Sequence, residues 1–221
     1  GGGGNGLFTR QEHGLRAEPA ALFALRPGRA AHFAPEAPRP SGRSPAVHTM
    51  IHELSGDLLL SKADLIAHGT APNDDWKAGI AAALREQCPA MYKDFRHFCK
   101  QQNPKPGTLW LWQGVGPDGR RLRFCALFTQ EPASRAGGHG GAAHTEYVNH
   151  ALHELKKLVQ KEGIRSIALP KLGTGKGGLE WQHVQPLIRS QLGGLAVQVL
   201  VYAEWQPGVA AVEPLPAAGA S

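Results

Sequence analysis

The segment Leu169-Pro170-Lys171-Leu172-Gly173-Thr174-Gly175-Lys176-Gly177-Gly178-Leu179-Glu180-Trp181 decides how this chain of 221 residues is read. It joins a short apolar run, Ser166 to Pro170, to a stretch where Val184, Leu187, Ile188 and Leu192 recur at helical spacing, so it connects a strand to a helix. Four glycines within residues 173–178 remove the side chains that would hold backbone N–H groups away from an anion, and the helix that follows is expected to add its positive end. Such a loop suits phosphate. Gly173-x-Gly175-x-x-Gly178 also matches the dinucleotide fingerprint, but that motif opens an early strand–helix–strand unit with an acid about 20 residues on. Here it comes late, and position 198 is Gln. A Walker motif fails too, because Gly177 follows Lys176 where Ser or Thr is required. A glycine-rich turn without a ligand is the plain alternative.

Outward from this loop the pattern alternates between strand and helix. Met50 to Leu54 and Leu65 to His68 are short apolar runs followed by turn residues, as strands are. Ile80 and Leu84 predict a helix ending near Cys88, and Pro89 suits the first turn of a second, with Met91, Phe95, Phe98 and Cys99 on its core face. Leu109 to Trp112 and Leu122 to Phe128 flank the turn formers of residues 114–119 and predict a hairpin. Tyr147, Ala151, Leu152, Leu155, Leu158 and Val159 define a third helix, and Val197 to Tyr202 a last strand. The expected fold is α/β, with helices on both faces of a sheet that the hairpin makes partly antiparallel.

Residues 1–49 hold 8 Gly, 9 Ala and 6 Pro, too few periodic apolar positions to offset the conformational entropy of ordering, so this part is expected to be disordered. The Ala/Pro/Gly-rich chain of residues 208–221 is expected to be a second loose end, leaving one domain over residues 50–207. The net charge of +6 is no nucleic-acid footprint: six arginines against three acids lie before Met50, and elsewhere only Arg120-Arg121-x-Arg123 clusters. Three cysteines without C-x-x-C spacing suggest neither a disulfide framework nor a zinc ribbon. No apolar run approaches the roughly 18 residues of a membrane span, and the expectation is a soluble, cytoplasmic monomer. His139, His144, His150 and His153 raise a metal site, but without carboxylates or thiols at ligand spacing they read as solvated or capping histidines, and no metal or cofactor is expected.

Two further segments carry chemistry. Ser55-Gly56-Asp57-Leu58 follows the first strand, where a carboxylate can accept a hydrogen bond from an exocyclic amine such as that of adenine, or simply cap a turn. Ala67-His68-Gly69-Thr70-Ala71-Pro72-Asn73-Asp74-Asp75-Trp76-Lys77-Ala78-Gly79-Ile80-Ala81 is a polar loop between a strand and a helix N-terminus, opening where α/β sheets place ligands. Asn73 is either a ribose ligand or a turn residue, and one loop lysine such as Lys77 or Lys176 is either a phosphate contact or a solvated charge. The stretch Gly137 to Gly141 reads as a mobile loop over the cleft or an ordinary connection.

These segments, in this order, resemble the macrodomain family, and most of all the branch of terminal-ADP-ribose glycohydrolases and antitoxin macrodomains that remove ADP-ribose from DNA. The likeness rests on Gly56-Asp57-Leu58, Ala67-His68, Gly79-Ile80-Ala81, Thr129, Tyr147 and Pro170-x-Leu172-Gly173-x-Gly175 with Leu179-x-Trp181. It implies a three-layer α/β/α fold with a mixed, mostly parallel sheet, and a cleft for ADP-ribose or an ADP-ribosylated protein or nucleic acid. By the same likeness Asp57 takes the adenine amine, the His68 to Gly79 loop the distal ribose, Gly173 to Gly178, including Thr174, the diphosphate with Leu172 among the binding residues, and Tyr202 lies beside the adenine.

The catalytic pattern departs from that branch. A lysine follows the strand-end threonine there, whereas this chain has Thr129-Gln130-Glu131, and Gly177 stands where some members have aspartate. A covalent lysine mechanism does not carry over to Gln130. Hydrolysis would then need a carboxylate to position water at the anomeric carbon, with Asp74, Asp75 and Glu131 as candidates. A non-catalytic ADP-ribose reader and a dinucleotide-binding oxidoreductase or transferase remain as alternatives.

Overall fold

The computed structural model describes residues 9–10, 50–115, 119–135 and 138–215. Strands β1 (Thr9–Arg10), β2 (Met50–Gly56), β3 (Leu65–Thr70), β4 (Leu109–Val115), β5 (Arg121–Phe128), β6 (Ser166–Pro170) and β7 (Gln198–Trp205) form one sheet in the order β1-β4-β5-β3-β6-β7-β2. The pairs β2–β7, β7–β6, β6–β3 and β3–β5 are parallel, while β4 pairs antiparallel with β5 and β1. The sheet is mixed and mostly parallel, as expected.

Helices α1 (Gly79–Gln87) and α2 (Pro89–Gln102) cover one face, and α3 (Thr145–Glu162) and α4 (Trp181–Leu192) the other. The division follows from the two-residue period of the central strands. Leu65, Ala67, Ile167, Leu169, Val199 and Val201 join the α3–α4 core, whereas their neighbours Ile66, Ala168, Leu200 and Tyr202 join the α1–α2 core. All three cysteines are buried thiols, and burial pushes the pKa of each up.

Helix boundaries follow local chemistry. Pro89 occupies the first turn of α2, where its missing N–H costs nothing, and Asn103 closes the helix in the left-handed conformation. Gly163 ends α3 in the same way at φ 63°.

Two boundaries differ from the sequence reading. Within the stretch expected to be disordered, Thr9–Arg10 extends the hairpin edge by pairing with Gly114 and Val115, and the rest of residues 1–49 lies outside the described residues. The domain also continues past Pro207. Residues 208–215 return over the end of β2, placing Ala211 and Leu215 against the α1–α2 core and Glu213 against Ser61 and Tyr202. Apolar contact plus satisfied buried polar groups is what a loose end lacks.

Candidate active site

A cleft of about 380 Å³ opens at the carboxyl ends of β3, β5 and β6, the central parallel strands. Its walls come from four places: His68 to Thr70 at the end of β3, Asp74, Asp75 and Ala78 to Ala81 leading into α1, Thr129 and Gln130 after β5 with the His139–Gly140 loop, and Pro170 to Gly173 with Gly175 to Gly177 after β6. The sequence loops singled out for phosphate and for the distal ribose therefore face each other across one cavity.

The glycine loop is built to present N–H groups. Its own turns use the N–H of Thr174 (to Lys171 O), Gly178 (to Gly175 O) and Leu179 (to Gly173 O). The N–H groups of Gly175, Lys176 and Gly177 make no hydrogen bond among the described residues, and these residues line the cleft. Three neighbouring donors at a cavity wall form an anion cradle. Gly173 needs its positive φ of 71°, and a Cβ on Gly177 would lie 2.6 Å from Gly173 O. Nothing lies within 4 Å of a Cβ on Gly175, which faces open space. The helix whose first turn joins the wall is α1, through Gly79, Ile80 and Ala81, and not α4 as the sequence suggested. Thr174 turns inward instead, its hydroxyl donating to Lys171 O at 2.7 Å.

The loop between β3 and α1 is held in an unusual backbone. Asn73 and Trp76 have φ of 61° and 50°, a conformation costly for a bulky side chain. What fixes it is packing: Trp76 is fully buried, stacked on Phe95 with centroids 4.6 Å apart and edge-on to His68 at 5.2 Å. Arg85 and Arg96 donate to the carbonyls of Asp75 and Asn73. His68 is buried at the cleft floor, and desolvation lowers its pKa to about 4 against a small opposing effect of the Gly69 backbone, so it is neutral at pH 7. Lys77 points to solvent and contributes its backbone N–H to Asp75.

The three proposed catalytic acids are occupied. Asp74 accepts from Trp76 N–H and Gly140 N–H, one on each oxygen. Asp75 accepts from Lys77 N–H on Oδ1 and contacts His139 Nδ1 at 3.0 Å on Oδ2. Glu131 pairs with His144 at 2.8 Å at an exposed position that does not line the cleft. Gln130, in the lysine's place, donates to Gly141 O and bridges Ala143, so it pins the 130–143 connection. That connection is fastened rather than loose over residues 138–141, by Asp75 N–H to Gly138 O, Gly140 N–H to Asp74 and Gly141 N–H to Glu131 O; Gly137 lies outside the described residues. Thr129 anchors its base through Thr70 O and His144 N–H. His139 lines the cleft too, a place that its grouping with the other histidines for a metal did not signal.

Around Asp57 and Tyr202 the chain itself takes up the polar groups. Asp57 is buried, and both of its carboxylate oxygens are taken: Oδ1 by Leu59 N–H (2.9 Å) and Trp205 Nε1–H (3.1 Å), Oδ2 by Gly208 N–H (2.8 Å). Tyr202 donates to Glu213 at 2.7 Å, and its pKa is pushed up by burial and then by that carboxylate. Gly56, Asp57, Leu58, Asn73, Lys77, Thr174 and Tyr202 are absent from the cleft lining.

The model of the Macro domain family matches residues 68–188, more than half of the chain. The chain belongs to the macrodomain family. It is similar to a DNA ADP-ribosyl transferase–DNA ADP-ribosyl glycohydrolase fusion protein of Thermosipho africanus (26% identity, 67% of this chain, 40% of the relative). It is also similar to a DNA ADP-ribosyl glycohydrolase of Thermus aquaticus (28%, 69% of this chain, 41% of the relative). This macrodomain chain thus spans about two fifths of the length of both. Among solved structures, the macrodomain of Thermus aquaticus DarG superposes with a TM-score of 0.59 at 26% identity, covering 70% of this chain and 99% of that one. Among the described residues, no helix is long and apolar enough to cross a membrane, and no group of three or more His, Cys, Asp or Glu could hold a metal ion.

Proposed function

We propose that this macrodomain binds ADP-ribose in the cleft and hydrolytically removes ADP-ribosyl groups from a modified macromolecule. The observation that carries the reading is the row of N–H donors at Gly175, Lys176 and Gly177, unpaired among the described residues and set across the cavity from the β3–α1 loop. A diphosphate on those donors directs the distal ribose toward the Asp75–His139 wall, and Lys171 and Lys176, which also line the cleft, supply positive charge. Family membership sets the oxidoreductase alternative aside. Because two similar proteins are named for action on ADP-ribosylated DNA, a nucleic-acid-linked ADP-ribosyl group is the first substrate to try. Action as a cytoplasmic monomer is part of the proposal, and light scattering is expected to give the monomer mass.

One observation favours the second reading, a binder without turnover: Gln130 replaces the lysine and is tied to Gly141. Calorimetry with ADP-ribose, NAD and ATP tests the ligand, and release of free ADP-ribose from modified DNA and protein tests hydrolysis. Binding of ADP-ribose with turnover is expected; binding without turnover on either substrate leaves the reader, and preference for NAD or ATP contradicts both.

A further inference from the structure

Resting on the hydrolase reading, we propose that His139 is the general base of the cleft and that Asp75 is its positioning residue. Asp75 is only 4% exposed and its Oδ2 lies 3.0 Å from Nδ1 of His139. A carboxylate only accepts, so Nδ1 carries a proton, and in the neutral ring Nε2 then keeps its lone pair. The His139 side chain is 71% exposed and lines the cleft, which leaves that nitrogen accessible to water and ligand. The residues on either side are fastened, Gly138 O to Asp75 N–H and Gly140 N–H to Asp74, so the imidazole stands on a fixed loop.

Competing bases are weaker. Asp74 and Asp75 have both oxygens engaged, Glu131 lies outside the cleft, and burial makes His68 a poor proton acceptor. In the step, Nε2 takes a proton from water as the water oxygen bonds to the anomeric carbon of the distal ribose. The bond from that carbon to the macromolecule breaks, its electron pair leaves with the acceptor atom, and the proton on His139 passes to that atom or to solvent. Free ADP-ribose and unmodified macromolecule result.

The test uses the full chain with an ADP-ribosylated DNA oligonucleotide and an ADP-ribosylated protein. His139→Gln is expected to lower kcat about 100-fold or more while ADP-ribose affinity stays within about threefold. Asp75→Asn is expected to lower kcat with KM unchanged, because an amide N–H facing the ring favours the wrong tautomer. Wild-type turnover with His139→Gln within about threefold of it overturns this proposal and leaves the hydrolase reading standing. No wild-type turnover, with binding intact, overturns both, and parallel loss of binding and kcat in Asp75→Asn makes Asp75 merely structural.

From different contacts we infer that residues 206–213 form an intramolecular strap over the Asp57 carboxylate, the group that the family likeness assigns to the adenine amine. Gly208 N–H donates to Asp57 Oδ2 at 2.8 Å, and Asp57 N–H donates to Val209 O at 2.6 Å. A donor beside an acceptor is also the edge that adenine presents through its amine and neighbouring ring nitrogen. The peptide thus makes the contacts the base would make. Its far end is latched by Glu213, which accepts from Ser61 Oγ (2.5 Å), Lys62 N–H (2.7 Å) and Tyr202 OH (2.7 Å). Ala211 closes over Gly56, where an added Cβ would lie 2.9 Å from the Ala211 Cβ.

Full-chain Glu213→Ala and Gly208→Pro loosen the strap by independent routes, the latch and the N–H donor. Each is expected to tighten ADP-ribose binding about tenfold and to leave ribose 5-phosphate, which has no base, unchanged. Equal gains for both ligands, or a gain for neither, overturn the strap. Failure of wild type and both variants to bind ADP-ribose at all overturns the ligand reading instead, and thermal melts confirm that each variant is folded.

Discussion

Gly140 lies against Ala71 so closely that a Cβ on the glycine would stand 2.2 Å from the Ala71 Cβ. The contact presses the 138–141 segment onto the β3–α1 loop, and Asp74 fixes it from the side through Gly140 N–H. Gly140→Ala is therefore expected to cost about 1–3 kcal/mol of stability by overpacking. It is also expected to displace His139 from Asp75, so turnover falls with the melting temperature. Denaturant titration and a release assay check the pair of effects.

Gly175 is the opposite case. With nothing within 4 Å of an added Cβ, Gly175→Glu is expected to leave the melting temperature nearly unchanged. The new carboxylate enters the diphosphate site with a like charge, and ADP-ribose binding is expected to weaken at least about 100-fold. Calorimetry measures it, and unchanged affinity would show that phosphate goes elsewhere.

Asp57 has a structural duty as well as a proposed one. It accepts three hydrogen bonds, from Leu59, Gly208 and Trp205, at a buried position. Asp57→Ala is expected to cost about 2–4 kcal/mol, since it leaves buried donors unpaired. Chemical denaturation reads this directly. A mutant with weak binding but full stability would mean that the carboxylate serves ligand alone.

His68 sets a pH dependence. Folded, it stays neutral down to about pH 4, whereas the unfolded chain protonates it near pH 6.5. Between those values the unfolded state binds more protons, so stability falls as pH drops from 6.5 and levels off below about 4, by roughly 3 kcal/mol in all. His68→Asn is expected to flatten this part of the stability–pH curve. Parallel curves for wild type and variant would contradict it.

The fold was legible because its elements carry clean periods. Pro89 divided α1 from α2, and the turn formers after Trp112 marked the antiparallel hairpin, whose tip at residues 116–118 lies outside the described residues. The glycine loop was legible as a cleft wall through its composition, and the loop after β3 through its place at a strand end. The strap was not legible. Its hold depends on Glu213, one acid in an Ala/Pro-rich stretch, meeting Ser61 from 152 residues away, and on backbone groups of Gly208 and Val209 that any sequence possesses. Nor was His139 beside Asp75, one of three candidate acids, because the two lie in different loops.

A crystal structure of the full chain soaked with ADP-ribose bears most directly on the site. The diphosphate oxygens are predicted to sit within hydrogen-bond reach of Gly175, Lys176 and Gly177 N–H, with the distal ribose beside His139. ADP-ribose found on another face, or no ligand in the cleft at saturating concentration, would contradict the assignment of this cleft.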